Sequence, residues 1–275
     1  MLLEQNRGLG WLPDPDKAVG EKPDWDADIW YGEEPVPERG DNRDQTLILA
    51  QSGAPSCVAH AGVLLLRAEH IRQGHEYPPL GSRMWAWLFS RLRHGAMNDW
   101  SGTYYRTMWE ALNRYGLPQE KWWPYVFDEL DGVPRWRAAP SSKARQMAHD
   151  QKQTIVYRRI RETGYERVDA IKRLIGNKHK CVDWGTMVSR RFVRGDYRDD
   201  ESADPPGPND EILGGHAMLL DYFEGDDFEG PQTYGADYWL RGRYRVTADY
   251  LASPLSRDFW VVEQFPIYSE EEIQP

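Results

Sequence analysis

The densest run of apolar positions follows residue 57, where Val58, Ala59, Ala61, Val63, Leu64, Leu65, Leu66, Ala68 and Ile71 cover most faces of a helix. Apolar residues on nearly every side predict a helix buried between other elements. RMWAWLFSRLRHG, residues 83 to 95, has the spacing of a second helix, with Arg and His at the end where the helix dipole favours cations. SGTYYRTMWEALNRYG, residues 101 to 116, predicts a third, with Ser101 as its N-cap and Gly116 as its stop. PSSKARQMAHD and ERVDAIKRLIGN predict two shorter helices. After residue 180 the pattern turns to strands, in CVDWGTMV, GHAMLLDYF, DYWLRGRYRV and DFWVVEQF. An acidic, Pro-rich loop, residues 194 to 211, lies among them. Helices first and antiparallel strands second imply an α+β fold.

Residues 1 to 46 stand apart. They are rich in Pro, Asp, Glu and Gly, with Trp11, Trp25, Trp30 and Tyr31 spaced through them, a pattern that predicts an extended arm pinned by its aromatic side chains. The remainder has aromatic residues enough, with 13 Trp and 15 Tyr in 275 residues, to build a packed core. A net charge of −10 argues against nucleic acid and anionic membrane surfaces as partners. Two cysteines, Cys57 and Cys181, make no disulfide framework and are read as free thiols. No signal peptide and no run of membrane-spanning length is visible, so the expected setting is cytoplasmic or particle-associated.

Candidate chemistry changes the picture most. Cys57 sits where the polar loop QSGAPS becomes the apolar helix. Unpaired N–H groups at a helix start favour an anion, so the thiol is expected to ionise easily. Gln51, six residues earlier, has an amide that can join the Cys57 N–H in holding an oxyanion. A thiolate also needs a base, and His216 in GGHAMLL opens an apolar strand about 160 residues later. Gly215 and Ala217 leave room beside it for a substrate backbone. His60, one turn past Cys57, is read as a core histidine. His70 and His75 fit no standard metal spacing, so no metal and no cofactor is expected.

These residues carry a resemblance. QSGAPSC resembles the glutamine-to-cysteine loop of papain-like cysteine peptidases (C1 family), and GGHA resembles their histidine strand. The bacterial xylellain-like branch is more similar still, through GWLPDPD at 10 to 16, YGLPQEKWWPY at 115 to 125 and YLASPLSRDFW at 250 to 260. The resemblance implies a two-lobe fold over residues 47 to 275, with a helical lobe at about 47 to 175 and a barrel-like strand lobe at about 176 to 265. It implies cysteine peptidase activity on a peptide or protein substrate. Where the family has an asparagine that orients the histidine, this chain has Gln232, in QTYG. Glutamine is expected to accept from Nδ1–H, one methylene further out. Asp237 is the alternative orienter. Ser101 and Gly102 match the family's pair that holds substrate backbone, and Ser101 serves equally well as a plain helix cap. Two other readings accompany this one: a catalytically weak relative that is a structural part of a larger particle, and a cell-wall peptide amidase.

Overall fold

The computed structural model describes residues 8–15, 34–76, 78–150, 152 and 154–264. Trp25, Trp30 and Tyr31 of the expected arm lie outside the described residues. The chain runs β1 (Arg39–Asp41), α1 (Cys57–Arg72), α2 (Arg83–Arg93), α3 (Tyr105–Tyr115), a two-residue hairpin of β2 (Glu129–Leu130) and β3 (Val133–Pro134), then α4 (Ser142–Asp150). It continues through β4 (Val156–Arg159), α5 (Gly164–Asn177), β5 (Val182–Ser189), α6 (Arg190–Arg194) and β6 (Ile212–Leu220). The last part is β7 (Tyr222–Glu224), β8 (Asp227–Pro231), the single turn α7 (Trp239–Gly242), β9 (Arg243–Thr247), α8 (Ala248–Ala252) and β10 (Ser256–Gln264).

Two antiparallel sheets carry the second half. One has the order β4-β10-β5-β6 and the other β1-β7-β8-β9. Strand β6 leaves the first sheet at Asp221 and continues into the second as β7. Asp221 is fully buried at that corner, its carboxylate taken by Arg243 and by Thr46 Oγ1 at 2.6 Å. A strand alternates its side chains between two faces. Ala217 and Leu219 of β6 therefore join the core around α1, while Met218 and Leu220 join a second core on the other side. Helix α1 lies between, buried along nearly its whole length, as its all-round apolar pattern predicts.

The structure bears on three sequence expectations. Helix α5 puts Val168, Ala170, Ile171, Leu174 and Ile175 into the second core with β5 and β6 rather than into the core around α1. Its apolar stripe is visible in the sequence, but a stripe does not say which neighbour covers it. Residues 39 to 41 pair with β7, so the end of the expected arm is built into the second sheet. Ser101 does not cap α3; Tyr104 stands at that position with no side-chain bond, whereas Gly116 closes the helix at a φ of 74°.

Candidate active site

The loop before α1 is shaped by its own backbone. Ser52 and Gly53 both have positive φ, 49° and 79°, and the turn closes with Ala54 N–H donating to Gln51 O at 3.0 Å. This delivers Cys57 as the first residue of α1, fully buried. Its sulfur lies against the backbone N–H groups of Ala217 and Gly10. Burial outweighs those donors and raises the thiol to about 11, with Ala217 and Gly10 opposing the rise. The expected low-pKa thiol is thus not what this state of the protein holds.

Gln51 is also buried. Its Nε2 donates to Ala54 O at 2.7 Å and to the carbonyl of Gly8, and its Oε1 accepts from Thr233 Oγ1. Gln51 N–H donates to Thr233 O at 2.8 Å, so backbone and side chain together bind the nucleophile loop to the loop after β8.

His216 stands on β6 opposite Thr186 of β5. Gln232 Oε1 lies 2.6 Å from its Nε2 and also accepts Thr233 N–H at 2.8 Å. The ring is therefore turned the other way from the sequence expectation, with Nε2–H rather than Nδ1–H toward the glutamine. Tyr234 stacks on the imidazole with centroids 4.8 Å apart and planes 18° apart, covering the pair. Asp237, the alternative orienter, is exposed in the turn after Gly235, whereas Gln232 contacts the imidazole.

Residues 8 to 15 lie across this ground. Thr103 N–H donates to Gly10 O at 2.8 Å, Leu12 N–H to Thr103 O at 3.0 Å, and Trp11 N–H to Gly215 O at 3.2 Å. Trp11 and Thr103 form a parallel bridge. Missing side chains make room: a Cβ on Gly102 would fall 1.8 Å from Gly10 O, and one on Gly185 2.1 Å from the Trp11 indole. A Cβ on Gly215 would meet Trp11 O at 2.3 Å. Ser101 contributes its carbonyl, which accepts from Trp87 Nε1 at 3.0 Å. The strip ends at Asp14, whose backbone N–H donates to Asp258 Oδ2 at 2.7 Å. Four of the residues singled out in the sequence, Cys57, Gln51, His216 and Gln232, thus gather around one cleft, and Gly102 and Gly215 line the strip that fills it.

No protein-family model matches the chain. Among solved structures it is similar to xylellain, a cysteine protease from Xylella fastidiosa, with a TM-score of 0.77 at 22% identity, covering 95% of this chain and 98% of that one. The fold is papain-like. ProCathepsin B S9 from Trypanosoma congolense shares the papain-like fold at a TM-score of 0.68 and 14% identity, over 96% of this chain and 89% of its own. The Carica candamarcensis protease CMS1MS2, solved in complex with E-64, does so at 0.59 and 18%, over 82% and 98%. By sequence, an uncharacterized peptidase C1-like protein of Acanthamoeba polyphaga mimivirus is 26% identical over 216 residues, 76% of this chain and 67% of its own length.

Within the papain-like frame, His60 is a core residue. It is fully buried, its Nδ1 is 3.0 Å from Ser56 O and its Nε2 3.3 Å from Arg83 Nη1. Burial, then the Arg83 charge, holds it down to about 3, so it stays neutral. Two contributors escaped the sequence reading. Tyr125 bonds Gln51 O at 2.9 Å and Ser56 Oγ at 2.6 Å, and Thr233 ties Gln51 to Gln232. Tyr125 ends the YGLPQEKWWPY segment, which marks it; Thr233 has no signal beyond following Gln232. Among the described residues no cluster of three or more His, Cys, Asp or Glu is arranged to hold a metal ion, and no helix is long and apolar enough to cross a membrane.

Proposed function

We propose that the chain is a cysteine peptidase acting on peptide or protein substrates. The observation that carries this is the His216–Gln232 contact. With Nε2–H committed to Oε1 at 2.6 Å, Nδ1 is the basic nitrogen of the ring. Cys57 gives its proton to Nδ1 and its sulfur attacks the peptide carbonyl carbon. The resulting oxyanion takes hydrogen bonds from Gln51 Nε2 and Cys57 N–H. The C–N bond then breaks, the amine leaves with the proton from Nδ1, and an acyl group stays on sulfur. Water, giving its proton to the same nitrogen, hydrolyses the thioester. Gln232 is a positioning residue, and Gly102 and Gly215 offer bare backbone to the substrate.

On this reading the described state is latent. Gly8 O takes the Gln51 donor and Gly10 N–H faces the sulfur, so the strip occupies both halves of the reacting site. It runs parallel to residues 101 to 103, whereas a substrate strand here is expected to run antiparallel. A backward chain presents its carbonyls to the wrong groups and survives. The boundary of the arm, on this view, falls between the strip and β1.

The buried, protonated thiol also favours the second reading, a binding protein of this fold without turnover. A peptidyl epoxide decides between them. Labelling of Cys57 that is lost in His216→Ala and kept in His60→Ala, together with hydrolysis of an unfolded protein, is the expected result. Equal labelling in the two histidine variants would mean the wrong base has been named.

A further inference from the structure

On the far side of Asp258 lies a cleft of about 640 Å³ that the chemistry above does not use. Four arginines line it: Arg159 from β4, Arg161 just after it, Arg167 from α5 and Arg257 from β10. Against them stand two carboxylates, Glu162 and Asp258. Glu162 Oε2 accepts Arg161 N–H at 3.1 Å. Asp258 is shared between Arg159, on Oδ1, and the arm's Asp14 N–H, on Oδ2.

Arg167 is the informative member. It is 7% exposed, and its Nη1 donates to Leu251 O and Ser256 O, both at 2.9 Å, while its Nε donates to Glu162 O at 3.0 Å. Among the described residues Nη2 finds no hydrogen-bond partner and no carboxylate pairs with this guanidinium. Desolvation, then the Arg159 and Arg257 charges, depresses its pKa, so both of those cations lie close enough to repel it. A buried charge is costly unless paired, and two neighbouring cations raise the cost for Arg167. Guanidinium groups match phosphate-type oxyanions through their forked donors.

We propose that this cleft is a binding site for a phosphate-class oxyanion held by Arg167, Arg159 and Arg257, and that its occupancy loosens the strip over the cleft. The coupling runs through one carboxylate. An oxyanion that draws Arg159 toward itself weakens the ion pair on Asp258 Oδ1. Asp258 then lies beside the Asp14 carboxylate with less positive charge to balance the two. The strip loses its anchor at Asp14, and Cys57 becomes accessible.

The test uses the full chain and two readouts: calorimetric titration with inorganic phosphate, pyrophosphate or glycerol 2-phosphate against chloride at matched ionic strength, and the rate of Cys57 alkylation in each. Expected are saturable one-to-one binding, weakened about tenfold in Arg257→Gln and Arg167→Gln, the loss expected for about 1.4 kcal/mol, and alkylation that rises several-fold at saturation. Arg257 is exposed, so its variant stays informative where Arg167→Gln does not fold. Tighter binding of the monoester than of inorganic phosphate would identify an organic phosphate as the natural source. The site is overturned by no saturable binding of any of the three, or by binding that Arg257→Gln leaves unchanged. Binding with no change in alkylation overturns the coupling.

Discussion

Gln232 offers its amide oxygen to His216 Nε2 and to Thr233 N–H at once, at 2.6 and 2.8 Å. The extra methylene, set against the family asparagine, suggests from sequence that Gln232→Asn should quicken catalysis. The geometry reverses that expectation, because the oxygen is already in place and Tyr234 already covers it. Shortening the side chain withdraws the acceptor by about 1 Å, a displacement that can cost on the order of a hundredfold. Gln232→Asn should therefore lower turnover of an unfolded protein by roughly tenfold to a hundredfold, and Gln232→Ala by at least as much; faster turnover of the asparagine variant would refute the geometry. The thiol supplies a second prediction at this scale. With the strip in place Cys57 stands near 11, so alkylation should climb steadily from pH 7 to pH 10 with no plateau. Trp11→Ala should bring the midpoint below the ordinary 9.0, where the helix start and His216 act without the burial that now opposes them. A midpoint still near 11 would assign the rise to the core rather than to the strip.

Helix α1 and the strand of His216 were legible in the sequence because their apolar patterns are long and unbroken. Strands β1, β4 and β8 were not. They read RGD, VYRR and DFEGP, short and charged, and are strands only because β7, β10 and β9 bring partners to them. DYWLRGRYRV was expected to be one strand, yet Leu240 and Arg241 take positive φ, and the strand begins only at Arg243. Cys57, Gln51 and His216 stood out by residue type and position, and Gln232 only through the family resemblance, but the orientation of the imidazole and the parts of Thr233 and Tyr125 depend on loop packing that a motif does not encode. The strip of residues 8 to 15 is the element with the largest expected effect. Trp11 is 3% exposed and fills space left by Gly185 and Gly215. Trp11→Ala should raise epoxide labelling of Cys57 at least tenfold, an effect of about 1.4 kcal/mol or more on docking, with the thermal transition of the two lobes retained. Loss of cooperative unfolding instead would make Trp11 part of the core rather than of a cover.

Across the whole molecule, the strip's attachment carries a pH dependence. Asp14 is raised from 3.8 to about 7, by burial first and by Asp258 second, with Arg106 and Arg159 opposing. An acid raised on docking favours the docked state while protonated. Docking should be tightest below about pH 4, weaken by up to about tenfold per pH unit between there and pH 7, and level off above. Asp14→Asn should remove the slope and slow Cys57 alkylation at pH 8; an unchanged slope would shift the titration to another group. The strip also belongs to the chain it covers, and 24 residues lie between Asp14 and Arg39 in the sequence. Tethered competitors act at an effective concentration on the order of millimolar, whatever the amount of protein in solution. Dilution should therefore never release the cleft, and a peptide rival must overcome a local millimolar competitor. One backbone cut between Asp14 and Arg39 would convert the contest to an ordinary bimolecular one, in which the severed strip is lost at low concentration and does not return.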